Sequence, residues 1–227
     1  MLALALLLEC RSDFDILPAV YLRSLIVLLL TLAAAWLGFR GDLPKVWPES
    51  KQPVRRSVKA WERLDGCELI AREWNDGDSF RVRCRGREHL FRLYFVDAPE
   101  SRNSFPDRVA EQATYFGISP SQALKIGKDA SVFTRRQLSG KKFTVWTRWR
   151  DALGRSRQPR YYAIVESRGR DLNTSLVSAG LARIYGTRVT PPDGGDSRTY
   201  LANLRRLERV AQRERQGAWG ISGRRQK

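Results

Sequence analysis

The chain has 227 residues, 42% of them hydrophobic, and a formal net charge of +17 with a single histidine. This length supports one domain with a sizeable core plus extensions. One histidine excludes catalysis by paired histidines and argues against histidine-rich zinc sites. The positive charge favours a polyanion such as nucleic acid, because displaced counterions drive binding to phosphates. A merely solvated surface or attraction to acidic lipid is the alternative.

An uncharged apolar run, Ser24–Phe39, follows Arg23 near the N-terminus. It is shorter than the roughly 20 residues that a transmembrane helix needs, and it fits the core of a signal peptide. A retained anchor, with Trp36 at a membrane interface, is the competing prediction. Residues 1–40 are therefore predicted to be a signal peptide or an N-terminal membrane anchor. We expect the protein to be exported, as a secreted or cell-envelope protein, or tethered to the membrane.

A linker and a basic tail frame the predicted domain. Residues 41–64 carry three prolines, scattered charges and little periodicity, as expected of a linker. Residues 223–227 form a short basic tail. The folded domain is therefore predicted over residues 65–222, and we expect it to be a monomer.

Five short runs with alternating or β-branched residues predict strands, separated by turns that contain glycine. The runs are Glu68–Trp74, Phe80–Arg85, His89–Val96, Lys142–Trp149 and Tyr161–Glu166. Five such strands indicate a small barrel. Cys67 and Cys84 flank the turn between the first two runs and would face each other across a hairpin. The sequence fits either a disulfide or two buried thiols there.

Capping residues and apolar spacing predict about three helices. Ser119-Pro120-Ser121-Gln122 offers a capping box ahead of a helix that runs to Leu138. The other two helices are Leu172–Ala179 and Arg198–Gln216, of which the last has an apolar stripe opposite many arginines. The predicted fold class is α+β, mainly a β-barrel with packed helices.

Acidic and guanidinium groups lie near the ends of the predicted strands. Asp76-Gly77-Asp78 forms an acidic turn, Arg92 precedes Asp97 and Glu100, and a second arginine closes the run Asp151–Arg155. Carboxylates suit a hard cation, a further carboxylate can handle a water molecule, and guanidinium groups suit phosphate oxygens. The combination predicts a site that cuts phosphodiesters.

Arg92 and Asp97 have opposite parity along a strand and would face opposite sides of it. Both can reach one site only if the strand curls or ends before Asp97. Pro99 favours an end there, because proline cannot donate a ladder hydrogen bond and disfavours helix at the preceding residue.

Four sequence pieces, in this order, resemble the staphylococcal (thermonuclease-like) nuclease family. They are D-G-D-S at Asp76–Ser79, F-R-L-Y-F-V-D-A-P-E at Phe91–Glu100, D-A-L-G-R at Asp151–Arg155, and G-L-A at Gly180–Ala182. The resemblance spans roughly Cys67–Ile221. It implies a five-stranded OB-fold barrel. It also implies metal-dependent hydrolysis of DNA and RNA with low sequence specificity, leaving 3′-phosphate ends.

The resemblance implies a metal site as well. Asp78, Asp97 and the backbone carbonyl of Ala98 would hold the ion, which the family pattern implies to be calcium. Oxygen ligands suit a hard cation, and residue types alone leave magnesium and manganese open.

Catalytic and substrate-binding roles follow from the same resemblance. Glu100 would orient or deprotonate the attacking water. Arg92 and Arg155 would hold the non-bridging phosphate oxygens.

Tyr185 falls close to a tyrosine position that lines the base pocket of the family, which makes it a candidate substrate-binding ring. Trp149 is a second candidate from the residues themselves, because it interleaves with Arg148 and Arg150 and aromatic rings stack on bases in single-strand binders.

The chain departs from the family pattern at two places. Ala152 and Leu153 stand where lysine and tyrosine are often found, which puts the nucleotide preference in doubt. The segment Ser101–Ile118 is longer than the loop of a minimal family member. This segment would either border the substrate groove or decorate the fold.

Two functions of other classes compete with the enzyme. A non-catalytic nucleic-acid-binding module on the same fold would need only a basic groove. A membrane-surface protein would use its charge on anionic lipid, which leaves the acidic residues unexplained. The combined presence of the carboxylates and arginines favours an enzyme.

Overall fold

The computed structural model describes residues 60–153 and 158–222. The predictions for residues 1–40, for most of the linker, for Arg155 and for the basic tail lie outside these ranges. None of the helices in the described ranges combines the length and apolar character that crossing a membrane requires.

Five of the eight described strands close into a barrel. In chain order the strands are β1 (Glu62–Leu69), β2 (Ser79–Cys84), β3 (Arg87–Leu93), β4 (Val96–Asp97), β5 (Phe143–Asp151), β6 (Arg160–Ser167), β7 (Arg170–Asp171) and β8 (Arg183–Ile184). Antiparallel neighbours follow the order β3-β2-β1-β5-β6-β7, and a parallel pairing of β3 with β6 closes the barrel of β1, β2, β3, β5 and β6. β4 and β8 form a separate two-stranded sheet. The predicted α+β fold with a five-stranded OB-like barrel is confirmed.

The first strand lies earlier than the sequence predicts. The predicted run is Glu68–Trp74, whereas β1 covers Glu62–Leu69 and so begins inside the stretch assigned to the linker. Only Leu64 and Cys67 of this strand are buried. A register shift between them, at a glycine in the left-handed region, breaks the alternation of apolar residues that marks a strand.

Cys67 and Cys84 form a disulfide that joins β1 to β2. It lies beside the cross-strand pair of Glu68 and Arg83. Of the two alternatives that the sequence left open, the structure has the disulfide.

Replacing both cysteines by alanine should lower the free energy of unfolding by about 2–4 kcal/mol, because a cross-link restricts the unfolded chain. Denaturant unfolding of the wild type with and without reductant, beside the Cys67→Ala/Cys84→Ala variant, measures the difference. Reductant should leave the double variant unchanged. Equal stability of the oxidised wild type and the double variant would contradict the prediction.

The described helices are α1 (Pro106–Phe116), α2 (Pro120–Leu138), α3 (Leu172–Ser178), α4 (Ser197–Arg213) and α5 (Ala218–Ser222). The predicted helices correspond to α2, α3 and α4. At the start of α2 the Ser119 hydroxyl accepts a hydrogen bond from the backbone N–H of Gln122, whose side chain accepts one from the N–H of Ser119. The capping box is therefore present. The sequence analysis does not predict helix α1, whose N-cap residue Phe105 makes no side-chain capping hydrogen bond, although Pro106 in the first turn and the left-handed Gly117 after the end are helix signals.

Glycines let α2 lie against the two loops that carry the acidic residues. A Cβ atom at Gly77 would lie 2.6 Å from the Cβ of Ala130, and one at Gly127 would overlap the backbone oxygen of Glu100. The Thr134 hydroxyl also donates to the backbone oxygen of Gly77 at 2.7 Å. These contacts set the position of both loops relative to the helix.

Candidate active site

A break in the chain after β3 brings Arg92 and Asp97 together. β3 ends at Leu93, Phe95 has a left-handed φ of 63°, and β4 begins at Val96. Arg92 Nη2 donates to Asp97 Oδ1 at 2.6 Å. The predicted end of the strand before Asp97 is confirmed. Because Arg92 and Asp97 do not lie on one continuous strand, their side chains can point to the same site.

Asp78 converges on the same guanidinium group. Its side chain is buried, and Oδ2 accepts the backbone N–H of Ala98 at 3.0 Å. The same Oδ2 lies 3.2 Å from Arg92 Nη2. Burial raises the pKa of Asp78, and the charge of Arg92 only partly opposes that shift. A carboxylate just before β2 and one at the end of β4 thus share Nη2 of Arg92.

Asp97 is fully buried and contacts three arginines. Oδ1 accepts from Arg92 and Arg108, while Oδ2 accepts from Arg183 Nε at 2.8 Å and from Gln112 Nε2 at 2.9 Å. Burial alone would raise the pKa of Asp97, but the three arginines and the amide outweigh burial and lower it. Asp97 is therefore held as a carboxylate.

Helix α1 supplies two side chains that the sequence motifs do not reveal. Gln112 is buried, donates to the backbone oxygen of Ala98 at 3.1 Å and accepts from the backbone N–H of Glu100 at 2.9 Å. Arg108 Nε donates to Glu100 Oε1 at 2.6 Å. The two residues therefore bind the whole stretch from Asp97 to Glu100. Their spacing of four residues, which places both on one face of a helix, is the signal that could have revealed them.

Strand β8 contributes the third arginine of this cluster. Arg183 lies opposite Asp97 in the β4–β8 pair, and its side chain is 2% exposed. Its Nη1 donates to Glu111 at 3.0 Å. The ring of Tyr185, 49% exposed, lies 4.2 Å from the Arg183 guanidinium. The structure therefore places this predicted substrate-binding ring over a buried cation, with half of its surface open to solvent.

The acidic and cationic groups line a cavity of about 650 Å³. Its walls include Asp76, Asp78, Arg92, Glu100, Arg108 and Arg160. Burial raises the pKa of Glu100, and Arg108 opposes the shift. A carboxyl with a raised pKa is better suited to accept a proton near neutral pH.

Trp149 lies elsewhere on the barrel. Its ring centroid is 6.0 Å from that of Phe91 and 5.2 Å from that of Tyr161, and its Nε1 donates to Glu62 at 2.5 Å. The structure does not bring this predicted substrate-binding ring to the cavity wall. Arg155 lies outside the described residues, so its role stays a prediction.

The donor atoms around the cavity suit a hard cation. Asp78 Oδ2 and Asp97 Oδ1 converge on Nη2 of the Arg92 guanidinium, and the carbonyl of Ala98 follows Asp97 directly in the chain. Among the residues that the structure describes, no three His, Cys, Asp or Glu side chains gather into a metal site. Main-chain oxygen and solvent would therefore have to complete the coordination of an ion here.

Two comparisons with known proteins each found a match to this chain. An uncharacterized protein of Bacillus anthracis is 27% identical to this chain over 182 residues, which cover 80% of this chain and 70% of that protein. The model of the family described as staphylococcal nuclease homologue matches residues 90–220, more than half of the chain. The match includes Arg92, Asp97 and Glu100 as well as helix α1. The chain therefore belongs to the staphylococcal nuclease homologue family.

Proposed function

We propose that this protein is a metal-dependent endonuclease that hydrolyses DNA and RNA with low sequence specificity and leaves 3′-phosphate ends. Membership of a nuclease family supports phosphodiester hydrolysis. The observation that carries the proposal is the convergence of Asp78 and the buried Asp97 on Nη2 of Arg92, since Asp78 and Arg92 line the cavity that also holds Glu100. A module that only binds nucleic acid has no use for buried carboxylates beside its phosphate site.

Asp78, Asp97 and the carbonyl of Ala98 would hold a divalent cation. Calcium is the ion that the resemblance implies, and magnesium and manganese suit the same oxygen donors. When bound, such an ion stabilises negative charge on the phosphate oxygens.

Glu100 would orient the attacking water and accept its proton. The position of Glu100 in the wall of the cavity beside Asp78 supports this role, and Arg108 and Gln112 act as positioning residues that fix its side chain and backbone. Arg92 would donate to the non-bridging oxygens, joined by Arg155 as the sequence predicts. In-line attack would then release the 5′-oxygen.

The site of action would be outside the cytoplasm. The disulfide between β1 and β2 supports this, because such bonds persist in oxidising compartments. The apolar run at residues 24–39 would export the domain or tether it to the membrane.

Cleavage should require a divalent ion and Glu100. The purified wild type should degrade plasmid DNA and RNA with calcium and lose this activity in excess chelator. Glu100→Gln should lower the rate by about 10²–10⁴-fold, since the amide cannot accept the proton. Its affinity for a short oligonucleotide, measured by fluorescence anisotropy, should stay close to that of the wild type.

Glu214→Gln, an exposed change at the end of α4, is the matched control and should cleave normally. Full activity in excess chelator would show that cleavage does not depend on a divalent metal ion. A wild type that binds but never cleaves, with calcium, magnesium or manganese, would make the protein a binding module.

A further inference from the structure

A second cavity, of about 780 Å³, lies beside the active-site cavity. Its volume falls in the range of about 300–1,000 Å³ that is usual for ligand sites. Asp76 lines both cavities, and its Oδ1 accepts a hydrogen bond from the Ser101 hydroxyl at 2.6 Å. The two cavities therefore meet at this pair of residues.

The walls of the second cavity are positively charged. Its lining residues include four cations against two carboxylates: Arg72, Arg102, Lys128 and Arg135 against Glu73 and Asp76. On α2, Lys128 and Arg135 are seven residues apart and lie on one exposed face. Neither has an ion-pair partner among the described residues. Within the described ranges, both charges are therefore available to an anion.

An exposed indole lies on the loop that forms part of the wall of this cavity. Trp74 is 57% exposed, and its neighbours Glu73 and Asn75 both line the cavity. The Asn75 side chain donates to the backbone oxygen of Ile70 at 2.8 Å and accepts from the N–H of Arg81 at 3.0 Å, which fixes the loop. Arg102 Nη2 also donates to the backbone oxygen of Glu73 at 3.0 Å. The indole is thus exposed on a loop held by several hydrogen bonds.

We propose that this second cavity binds the part of a single DNA or RNA strand that continues from the phosphate held in the active site. Lys128 and Arg135 contact its phosphates, and Trp74 stacks on a base. A basic groove that carries an aromatic ring is the arrangement of single-strand binding sites. The assignment of this strand to the neighbouring cavity rests on the proposed nuclease function, which puts the scissile phosphate in the cavity that Asp76 also lines.

Binding is tested with a fluorescein-labelled single-stranded 12-mer in excess chelator, by anisotropy at several salt concentrations. Lys128→Ala/Arg135→Ala should weaken binding by about tenfold or more. The same variant should lower the slope of log Kd against log salt by about 1.4, or about 0.7 for each phosphate that is no longer neutralised. Trp74→Ala should weaken binding by about fivefold or more. The control Arg205→Ala/Arg209→Ala removes two exposed cations from α4 and should change Kd by less than about threefold.

Cleavage distinguishes this proposal from the proposed function. The Lys128/Arg135 double variant should lower kcat/KM for the 12-mer but not for a dinucleotide, whose single phosphodiester does not extend into the second cavity. Equal weakening by this variant and by the α4 control would overturn the proposal. If the wild type cleaves neither substrate while the differences in Kd persist, the nuclease function fails and the strand-binding cavity stands.

Discussion

Asp97→Asn should abolish nuclease activity and lower the free energy of unfolding by about 3–5 kcal/mol, because it removes the buried carboxylate that three arginines share. Arg183 and Arg92 are mostly buried and both depend on this carboxylate. Activity on plasmid DNA and denaturant unfolding measure the two effects. Since the pKa of Asp97 lies below its ordinary 3.8, its contribution to stability is fully present above that pH and is lost as pH falls through the folded-state pKa.

Two matched changes sharpen this test. Asp107→Asn replaces an exposed acid of the cavity that Asp78 and Arg92 line, and it should leave activity and stability unchanged. Asp78→Asn should lose activity without a comparable loss of stability, because burial already disfavours the charged form of Asp78. An Asp97→Asn protein as stable as the wild type would show that the three arginines do not depend on this carboxylate.

Arg92→Lys should lower kcat by about 10²-fold or more, because lysine keeps the charge but loses the planar fork. Arg92 contacts Asp97 at 2.6 Å and Asp78 at 3.2 Å through one nitrogen and still has other N–H groups for a phosphate. Oligonucleotide affinity should fall much less, since many other cations remain. Steady-state kinetics with a defined oligonucleotide separate kcat from KM.

Arg83→Lys is the matched control. Arg83 lies on the same hairpin, is exposed and pairs with Glu88 at 2.9 Å, so its replacement should leave kcat unchanged. An Arg92→Lys protein with wild-type kcat would remove Arg92 from the stabilisation of the transition state.

The barrel and three helices could be predicted from local patterns. The alternation in β2 and the capping box at Ser119 depend on residues close together in the chain. The sequence predicts β1 in the wrong place, because the register shift between Leu64 and Cys67 interrupts its pattern. Helix α1 lacks the capping side chain by which a helix start is recognised.

Part of the candidate site could not be predicted from motifs, because it depends on contacts between distant parts of the chain. Asp78, Arg92, Asp97 and Glu100 lie in sequence pieces that resemble a family, so their meeting was predictable. Arg183 reaches Asp97 only through the pairing of β4 with β8, which joins residues 86 positions apart. Such a contact depends on tertiary structure and leaves no pattern in the sequence around either residue.

Two glycines set how closely helix α2 approaches the two acidic segments of the site. At Gly77 and Gly127 no methyl group separates the helix from the loops, and the contact at Gly127 is with the backbone of Glu100 itself. The distance from Glu100, which is assigned to the water, to Asp78 and Asp97, which are assigned to the cation, therefore depends on two residues that have no side chain. Sequence variation at these two glycines changes the geometry of the reaction while every charged residue stays the same.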